Sequence, residues 1–403
     1  MPKKALVRSM EVWNNIQQAE EFGANVSDAT LNWTRVIERK NTIINKFTSG
    51  KEPKLKKLGV EFVRGHAKFA SPTSIKVGDS EYYGERFLIG TGSKPSTPAI
   101  KGIEHAVTSK EILNLTSLPS SIAILGGGVI SLEFAYILAS AGVNVTIVLR
   151  GNTLLKTMDN ETSELVLNMT KERGIEVKTN VHTESVLKHG DGHYTLIGQV
   201  DGKTLELETE IVMNATGRTP QVDGLGLENA GVRYSDKGIH VNEYFETTAS
   251  GIYAAGDVIG GLMLTPIATY EAKLAIRNAI RGNKEKADYT LVPHAIFTMP
   301  PIANIGLSEE AAKEKGIEYK VYKSYLKHSA VAIILGEEAG YIKILTDKET
   351  GQIIGFHMVG IHADEIVHSM AIAMKAKFTI HDLAEIINVH PTISETLMLM
   401  AGK

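Results

Sequence analysis

The sequence predicts an α/β protein with doubly wound, three-layer nucleotide-binding domains, followed by a C-terminal α+β module. The apolar run 122–125 leads into a glycine turn, a helical segment over residues 129–141 and a second apolar run over residues 143–149. This order is typical of a βαβ unit. Two further segments, about one domain apart, repeat the pattern of an apolar strand followed by Thr-Gly and a nearby proline. After Tyr289, strands are grouped before helices, as in an α+β domain.

The glycine turn has the form of a dinucleotide-binding fingerprint. Gly126 allows the tight turn, and Gly128 lets the backbone approach a pyrophosphate. The helix that follows offers free N–H groups to phosphate oxygens. Ser131 occupies the third position, where the pattern has glycine or alanine, and serine is small enough to pack there. The sequence therefore predicts a dinucleotide site, and the alternative is a glycine-rich turn in another kind of α/β domain.

The end of the second strand of this unit indicates the coenzyme. NAD-binding units usually place Asp or Glu there to accept hydrogen bonds from the ribose 2′-hydroxyl. This chain has Leu149 followed by Arg150 at that place, and Lys156 lies one turn further along. A missing acid and an added cation favour a 2′-phosphate, so we expect NADP(H). The alternative is NAD(H), with Arg150 simply solvated.

The composition excludes several classes of function. The chain has 403 residues, enough for two or three domains, and a formal net charge of −3. It has no basic tract with interleaved aromatic residues, so nucleic acid is not expected as a partner. No apolar run approaches the length of a membrane span, and we expect a cytoplasmic protein. The cysteine count is zero, which excludes disulfides, thiolate metal sites and cysteine nucleophiles within these residues. We predict no metal site.

The first hundred residues begin with helices, which is unusual for an α/β domain. Residues 5–22 and 31–58 have helical periodicity, interrupted near Gly50 and Pro53 in the second segment. Short strands separated by turn residues are predicted next, over residues 60–63, 66–69, 74–77 and 81–89. Later helices are predicted over residues 161–173, 266–280, 363–377 and 380–387. Strands of the C-terminal module are predicted over residues 295–298, 302–306, 319–325, 341–346 and 353–359.

Strand ends at three further places carry candidate binding residues. The two related segments are residues 87–95 and 211–220, and each has an apolar strand, Thr-Gly, a Ser or Arg, and then Pro. Two copies in matched positions suggest two related nucleotide-binding folds. Asp257 follows another apolar strand, at the carboxyl edge where open sheets bind ligands. The alternative for Asp257 is an ordinary helix N-cap or turn residue.

Five segments follow one another along the chain: Gly90-Thr91-Gly92, residues 126–133, Ala215-Thr216-Gly217-Arg218, residues 253–257 and His390-Pro391-Thr392. In this order, they resemble the motifs of the flavoprotein pyridine nucleotide–disulfide oxidoreductases, which include dihydrolipoamide dehydrogenase, glutathione reductase and mercuric reductase. The resemblance covers essentially the whole chain, and its strand end at Arg150 looks most like the mercuric reductase branch. It implies a flavin-dependent oxidoreductase that passes hydride from NAD(P)H through FAD to a disulfide-type acceptor.

The resemblance also implies the domain plan of a homodimer. Residues 1–117 would form a partial FAD-binding domain and residues 118–240 an NAD(P)-binding domain inserted into it. Residues 241–288 would return to the FAD-binding domain, and residues 289–403 would form the dimerisation domain. A dimer is expected because, in this family, the histidine of the C-terminal motif serves the flavin of the partner subunit.

Site residues are carried over from the family motif by motif. His390, oriented by Glu395, would be the acid–base catalyst. Either Lys3 or Lys4 would approach the flavin ring and pair with Glu133, and the sequence does not choose between the two lysines. The residues expected at the NAD(P) site are Gly126, Gly128, Ser131, Glu133, Arg150, Lys156 and Gly217. Those expected along the FAD are Lys3, Lys4, Ala67, Thr91, Gly92, Asp257, Leu264, Thr265, Pro266 and Ile267.

Two departures from the family pattern bear on activity. Before this point, the family carries a glycine fingerprint for FAD and a Cys-x-x-x-x-Cys pair. The chain begins at Met1, directly after the place expected for the second cysteine, so about 30 residues or more are missing relative to the family. We therefore expect a longer natural protein, with Met1 an internal methionine or a misplaced start. The chain also lacks the C-terminal cysteine pair of mercuric reductase, and mercury reduction is not expected.

Two alternatives to a disulfide reductase remain open. The first is a non-catalytic protein that binds NADP(H) and serves as a binding or scaffold protein. The second is a thiol-independent NAD(P)H diaphorase that retains flavin and passes electrons to quinones or oxygen. Both follow from the absence of cysteine, and retained flavin would distinguish them from each other.

Overall fold

The structure is a computed structural model that describes residues 1–402. Its α-helices are joined by short loops and by single turns of 3-10 helix. In chain order the helices are α1 Pro2–Gln17, α2 Trp33–Thr48, α3 Lys51–Lys57, α4 Ser109–Ile112, α5 Val129–Ser140, α6 Asn160–Glu172, α7 Thr265–Arg281, α8 Glu309–Glu314, α9 Ala330–Ile334, α10 Ala363–Lys375, α11 Ile380–Ala384 and α12 Ile393–Ala401.

The strands are mostly short, and only those of the C-terminal module and one antiparallel sheet reach seven residues. In chain order they are β1 Ala67–Ser71, β2 Ser74–Val77, β3 Ser80–Tyr83, β4 Phe87–Ile89, β5 Ser93–Pro95, β6 Ser121–Leu125, β7 Asn144–Val148, β8 Glu176–Lys178, β9 His182–Lys188, β10 Tyr194–Val200, β11 Lys203–Thr209, β12 Ile211–Asn214, β13 Arg218–Pro220, β14 Tyr234–Ser235, β15 Gly238–Ile239, β16 Ile252–Ala254, β17 His294–Ile296, β18 Ile302–Gly306, β19 Tyr319–Tyr325, β20 Tyr341–Asp347 and β21 Ile353–Val359.

The described residues form two compact units. The first unit consists of Met1–Asn45, Pro98–Ala215 and the residues from Thr290 onwards. The second consists of Lys46–Thr97 and Thr216–Tyr289. The first unit therefore contains the predicted dinucleotide fingerprint and the α+β module, and the second contains β1 to β5, β13 to β16 and α7.

A parallel sheet with the order β12-β6-β7-β8 forms one half of the first unit. Its central strand β6 is buried from Ile122 to Leu125, because α5 covers one face of the sheet and the antiparallel sheet β11-β10-β9 packs on the other. α5 is apolar around nearly its whole circumference, and Leu132, Phe134 and Ile137 are fully buried. α1 packs on the outer side of α5, which explains why a helix with no polar face is stable here.

The second half of the first unit is an antiparallel sheet with the order β17-β18-β21-β20-β19. β20 and β21 are buried along almost their whole length. α10, α11 and α12 share a hydrophobic core with the sheet, through residues that include Phe356, Met358 and Met370. All five strands thus precede α10, α11 and α12, with the short helices α8 and α9 between them, and the predicted α+β architecture is confirmed.

The second unit is built from small sheets around a separate core. β4 and β16 form a parallel pair, with Ile89 opposite Ala254. β1, β2 and β3 form an antiparallel meander. The core between them contains Phe69, Ile252 and Val258, which are all buried.

Most predicted elements lie within a few residues of their expected positions, but two predicted strands need correction and two short helices were not predicted. Residues 60–63 were predicted to be a strand, yet they form no strand, and Val60 and Phe62 are exposed. Within residues 1–402, no strand forms a backbone ladder with this segment. The predicted strand over residues 81–89 is two strands, β3 and β4, separated at Gly84. α8 and α9 were not predicted, because each is shorter than two helical turns.

Candidate active site

The glycine turn after β6 is open to solvent and leaves the helix terminus uncapped. Gly126 has φ 108°, a conformation that favours glycine, and its N–H donates to the carbonyl oxygen of Val148 at 2.9 Å. Gly128 is the N-cap of α5, and no side chain caps the helix. No heavy atom lies within 4 Å of the place where a Cβ would stand on Gly128. The first N–H groups of α5 are therefore available to an anion, and the turn fits a dinucleotide pyrophosphate.

Gly127, which the sequence analysis did not single out, joins the turn to the loop after β7. A Cβ at Gly127 would lie 2.6 Å from Leu149 Cδ2, so only glycine fits there without a shift. The carbonyl oxygen of Gly127 accepts a hydrogen bond from the N–H of Leu155 at 2.8 Å. Because of these contacts, the segment between β7 and α6 is packed directly against the glycine turn. The run of three consecutive glycines, of which Gly127 is the second, was the only available signal.

The two cations predicted to select NADP(H) both lie on this segment. Arg150 follows β7, and Lys156 follows Leu155. Both side chains are exposed, and within residues 1–402 neither forms an ion pair or side-chain hydrogen bond. The strand end has no carboxylate of its own, as the sequence indicated. Two unpaired cations beside the glycine turn fit the 2′-phosphate of NADP(H).

Glu133 distinguishes between the two candidate lysines. It is buried in α5, and its carboxylate forms an ion pair with Lys3 and accepts a hydrogen bond from the N–H of Phe297 at 3.0 Å. Lys4 instead pairs with Asp364 at 2.9 Å. Of the two, Lys3 is therefore the partner of Glu133.

Ser131 is buried and unpaired. The residue has no exposed surface, and its hydroxyl has no hydrogen-bond partner within the described residues. Serine fits at this closely packed position, as expected. Its side chain acts here as a small packing group.

Asp257 lies in a hydrogen-bonded cluster of the second unit. It follows β16, and its Oδ2 accepts a hydrogen bond from Ser93 Oγ at 2.6 Å. Arg218 donates to the same Ser93, through Nε to Oγ at 2.7 Å and through Nη2 to the carbonyl oxygen at 2.6 Å. Asp257 Oδ1 makes no hydrogen bond within residues 1–402. This half-buried carboxylate therefore keeps one oxygen for a hydroxyl group, which fits the ribityl chain of FAD.

The two Thr-Gly segments meet each other in the second unit. β5 and β13, which follow them, pair in antiparallel fashion, with Thr219 opposite Lys94. Thr91 Oγ1 donates to the carbonyl oxygen of Gln221 at 2.8 Å, and Gly92 has φ 73°. Gly217 has φ 148°. The sequence indicated that the segments are related, but it gave no sign that they are hydrogen-bonded neighbours.

The remaining residues predicted along the FAD lie on two elements of the second unit. Ala67 begins β1 and is exposed. Leu264 is the N-cap of α7, Thr265 and Pro266 form its exposed first turn, and Ile267 is buried. The structure therefore places these four residues together at the start of α7.

Glu271 is a buried carboxylate that the sequence analysis missed. It lies in α7 and accepts hydrogen bonds from the N–H of Gly256 at 2.7 Å and from the hydroxyl of Tyr289 at 2.6 Å. Burial, together with this hydrogen bond, raises the pKa of Tyr289 above its ordinary value. Glu271 thereby fixes the backbone next to Asp257. An acid near the middle of an amphipathic helix gives no signal of this role in sequence.

His390 and Glu395 form the predicted pair at the start of α12. His390 Nδ1 lies 2.9 Å from Glu395 Oε2. The imidazole is 76% exposed, whereas the carboxylate is only 8% exposed. Thr392 caps the helix by accepting a hydrogen bond from the N–H of Glu395 at 3.2 Å, which fixes the carboxylate. The buried acid therefore orients an outward-facing imidazole.

Comparison with known proteins assigns the chain to a family. The family model described as pyridine nucleotide-disulphide oxidoreductase matches residues 1–272, and the model of the dimerisation domain of the same family matches residues 292–401. The chain belongs to the pyridine nucleotide-disulphide oxidoreductases. Members of this family are NAD(P)H-dependent flavoprotein disulfide oxidoreductases that bind FAD and NAD(P)H.

Individual relatives agree with this assignment. The chain is 32% identical over 416 residues to dihydrolipoyl dehydrogenase of Bacillus subtilis (strain 168), covering 98% of this chain and 87% of that protein. It is 33% identical over 406 residues to mercuric reductase of Bacillus cereus, covering 99% of this chain and 64% of that protein. Among solved structures, the HOCl-induced flavoprotein disulfide reductase RclA from Escherichia coli matches with a TM-score of 0.88 at 26% identity, over 100% of this chain and 89% of that chain.

These comparisons confirm the family, the fold class, the flavoprotein oxidoreductase function and the cofactors expected from the sequence. The C-terminal module is the dimerisation domain of the family. Among residues 1–402, no helix combines the length and apolar character needed to cross a membrane. The predicted domain boundaries and the roles of individual site residues remain predictions.

Proposed function

We propose that this chain oxidises NADPH and passes the hydride through FAD to a disulfide-type acceptor. The observation that supports a disulfide-type acceptor is the contact between His390 Nδ1 and Glu395 Oε2, at 2.9 Å. Reduction of a disulfide needs a proton for the thiol that leaves, in addition to the two electrons. An exposed imidazole with a buried carboxylate at its other nitrogen is suited to supply and recover that proton.

The preference for NADPH is supported by the segment that packs against the glycine turn. Arg150 and Lys156 would hold the 2′-phosphate, while Gly126, Gly128 and the start of α5 would hold the pyrophosphate. NAD(H) is the alternative coenzyme, and it requires neither cation. Gly217 is expected near the coenzyme by resemblance alone.

When bound, FAD would supply the redox chemistry between the nicotinamide and the acceptor. In this proposal Asp257 would accept a hydrogen bond from the ribityl chain through Oδ1. Thr91, Gly92 and the first turn of α7 would lie along the cofactor. Lys3 would present its ammonium group to the flavin ring, held in place by Glu133.

In this proposal, His390 transfers the proton to and from the acceptor. If Nδ1–H donates to Glu395, the other ring nitrogen, Nε2, is left with a lone pair that can take or return a proton. In this proposal the chain is a homodimer, and the exposed imidazole serves the site of the partner subunit. The cytoplasm remains the expected compartment.

A second candidate function is a thiol-independent NADPH diaphorase. The sequence contains no cysteine. A thiol that takes part in the reaction therefore comes from the acceptor or from polypeptide beyond these residues. A quinone, which takes electrons directly from reduced flavin, would need no such thiol. The third candidate, an NADP(H)-binding protein without catalysis, would bind the coenzyme and transfer nothing.

One experiment separates the three candidates. The purified chain is supplied with FAD, and NADPH is added in the absence of oxygen while the flavin absorbance is followed. Bleaching of the flavin, followed by its return on addition of a small disulfide such as lipoamide, is the expected result. Return of the absorbance with a quinone but not with the disulfide would indicate the diaphorase. NADP(H) binding without bleaching would indicate the non-catalytic protein.

A further inference from the structure

A fully buried lysine contacts the start of α6, the helix that follows the candidate coenzyme loop. Lys343, on β20, has no exposed surface. Its Nζ contacts three carboxylates: Asp159 at 2.6 Å, Glu161 at 3.1 Å and Glu309 at 3.0 Å. Lysine is almost never fully buried unless it is paired, so this arrangement is a built charge cluster. None of these four residues belongs to the glycine fingerprint or to the His390 pair.

Two of the three carboxylates hold the start of α6. Asp159 is the N-cap of α6, is itself buried, and accepts a hydrogen bond from the N–H of Thr162 at 3.4 Å. Glu161 lies in the first turn of the same helix and also pairs with Lys323. The ammonium group of Lys343 therefore fixes the point at which the loop after β7 ends and α6 begins.

A short series of hydrogen bonds connects this point to the glycine turn. Ser163 Oγ, in α6, donates to the carbonyl oxygen of Leu155 at 3.1 Å. The N–H of Leu155 donates to the carbonyl oxygen of Gly127 at 2.8 Å. Leu155 is buried and has φ 51°, a left-handed conformation that a leucine adopts only when its surroundings hold it there.

We propose that Lys343 is a positioning residue for the coenzyme. Through Asp159 and Glu161 it holds the beginning of α6, and thereby the strained turn at Leu155. That turn places the backbone of Lys156 beside the glycine turn, and Arg150 lies at the other end of the same loop. Lys343 never reaches the coenzyme; it acts on the 2′-phosphate site through the loop. This inference rests on the proposed function.

The test is the substitution Lys343→Met, with binding of adenosine 2′,5′-bisphosphate measured by calorimetry. This probe carries the 2′-phosphate but no nicotinamide, so the measurement is independent of flavin and of turnover. The dissociation constant is expected to rise about tenfold, because a displaced loop loses part of its contact with the phosphate. In the assay with FAD, the KM for NADPH should rise by a similar factor, while kcat stays within about twofold.

Removal of a buried charge can unfold a protein, so two further variants keep the test decisive. Asp159→Asn combined with Lys343→Met leaves no unpaired charge at the closest contact and should fold, yet it should show the same weakened binding. Lys343→Arg keeps the charge and should retain the affinity within about threefold.

Lys40→Met is the matched control. Lys40 is also a buried lysine, and its Nζ donates to the carbonyl oxygen of Leu113 at 2.6 Å, away from the coenzyme loop. It should lose stability without a change in probe affinity. Unchanged probe affinity in the folded Lys343 variants would overturn the inference and leave the proposed function intact. Failure of the wild-type chain to bind either NADP(H) or NAD(H) would overturn both.

Discussion

Lys3 and Glu133 form an ion pair between the first turn of α1 and the middle of α5, although they lie 130 positions apart in the sequence. The glutamate is almost completely buried, whereas the lysine side chain remains 28% exposed. The pair therefore fixes α1 on the helix that begins at the glycine turn. In the proposed function it also orients the ammonium group toward the flavin.

Loss of this pair should destabilise the first unit. Lys3→Met would leave the carboxylate of Glu133 buried, with only the N–H of Phe297 as a partner. We expect a loss of about 1 to 2 kcal/mol in the free energy of unfolding, less than for a fully buried pair because Lys3 is partly exposed to solvent. Arg8→Met, which removes an exposed ion pair with Glu11 on the same helix, is the control. Urea unfolding that showed no greater loss for Lys3→Met than for Arg8→Met would contradict a stabilising role of the Lys3–Glu133 pair.

Charge reversal at the coenzyme loop should change the coenzyme preference. Arg150→Glu would place an acid where NAD-binding units have one, and it would repel a 2′-phosphate. The KM for NADPH is expected to rise at least about tenfold, while the KM for NADH stays equal or falls. Lys171→Glu, an exposed position on α6, is the charge-matched control. An unchanged ratio of the two KM values in the Arg150 variant would rule out its proposed role.

His390 should matter for one class of acceptor only. His390→Gln would remove the proton donor and leave the flavin and coenzyme sites untouched. With a disulfide acceptor, we expect the rate to fall about 10²- to 10⁴-fold, whereas NADPH-dependent reduction of ferricyanide should be unchanged. Glu395→Gln should show the same selectivity with a smaller loss. If the rate fell equally with both acceptors, His390 would have a structural role and would not be the proton donor.

Acid should destabilise the C-terminal module through a buried histidine. Burial lowers the pKa of His357 below its ordinary value of 6.5, although a hydrogen bond to the carbonyl oxygen of Leu307 opposes the shift. The folded state therefore keeps this imidazole neutral while the unfolded state takes up a proton. Its contribution to stability is fully present above pH 6.5 and is lost as the pH falls toward the lower, folded-state pKa.

The dependence of the free energy of unfolding on pH can be measured. One histidine contributes at most about 1.4 kcal/mol per pH unit to the free energy of unfolding. Urea unfolding between pH 5 and 8 should show a steeper dependence for the wild type than for His357→Gln. His189→Gln, at the surface hairpin between β9 and β10, should not change the slope. Parallel curves for the wild type and His357→Gln would contradict this prediction.

Removal of the buried hydroxyl group of Ser131 should stabilise the protein. Ser131→Ala removes a buried hydroxyl that has no hydrogen-bond partner in the described residues, and it improves helix propensity. We expect the free energy of unfolding to rise by about 1 kcal/mol without a change in the affinity for NADP(H). Ser131→Val, which adds volume at a fully buried position, should destabilise. A loss of coenzyme affinity in Ser131→Ala would show that the hydroxyl has a role in binding.

The sequence predicted best what is encoded locally. The βαβ unit around Gly126 was recognisable because the apolar runs, the glycines and the helical spacing all occur within about 30 residues of one another. The strand over residues 60–63 was predicted wrongly for the complementary reason. Apolar residues alone do not form a strand, and pairing partners are set by the rest of the fold.

Contacts between distant segments were beyond sequence reasoning. Lys3 and Lys4 are neighbours with the same charge, so only the packing of α1 on α5 shows which one meets Glu133. Lys343 and Glu271 were missed because a buried charge in sequence looks the same as a solvated one. Their importance depends on partners that lie far away along the chain.

The ladder between β5 and β13 has a consequence for the architecture of the chain. β5 lies just before Pro98, where the polypeptide leaves the second unit, and β13 lies just after Ala215, where it returns. The long segment between them therefore departs and comes back at adjacent points, like a domain inserted into a surface loop. A short turn across the same two strands would close the second unit, whereas removal of the segment would expose the apolar faces of α1 and of the C-terminal module that share its core.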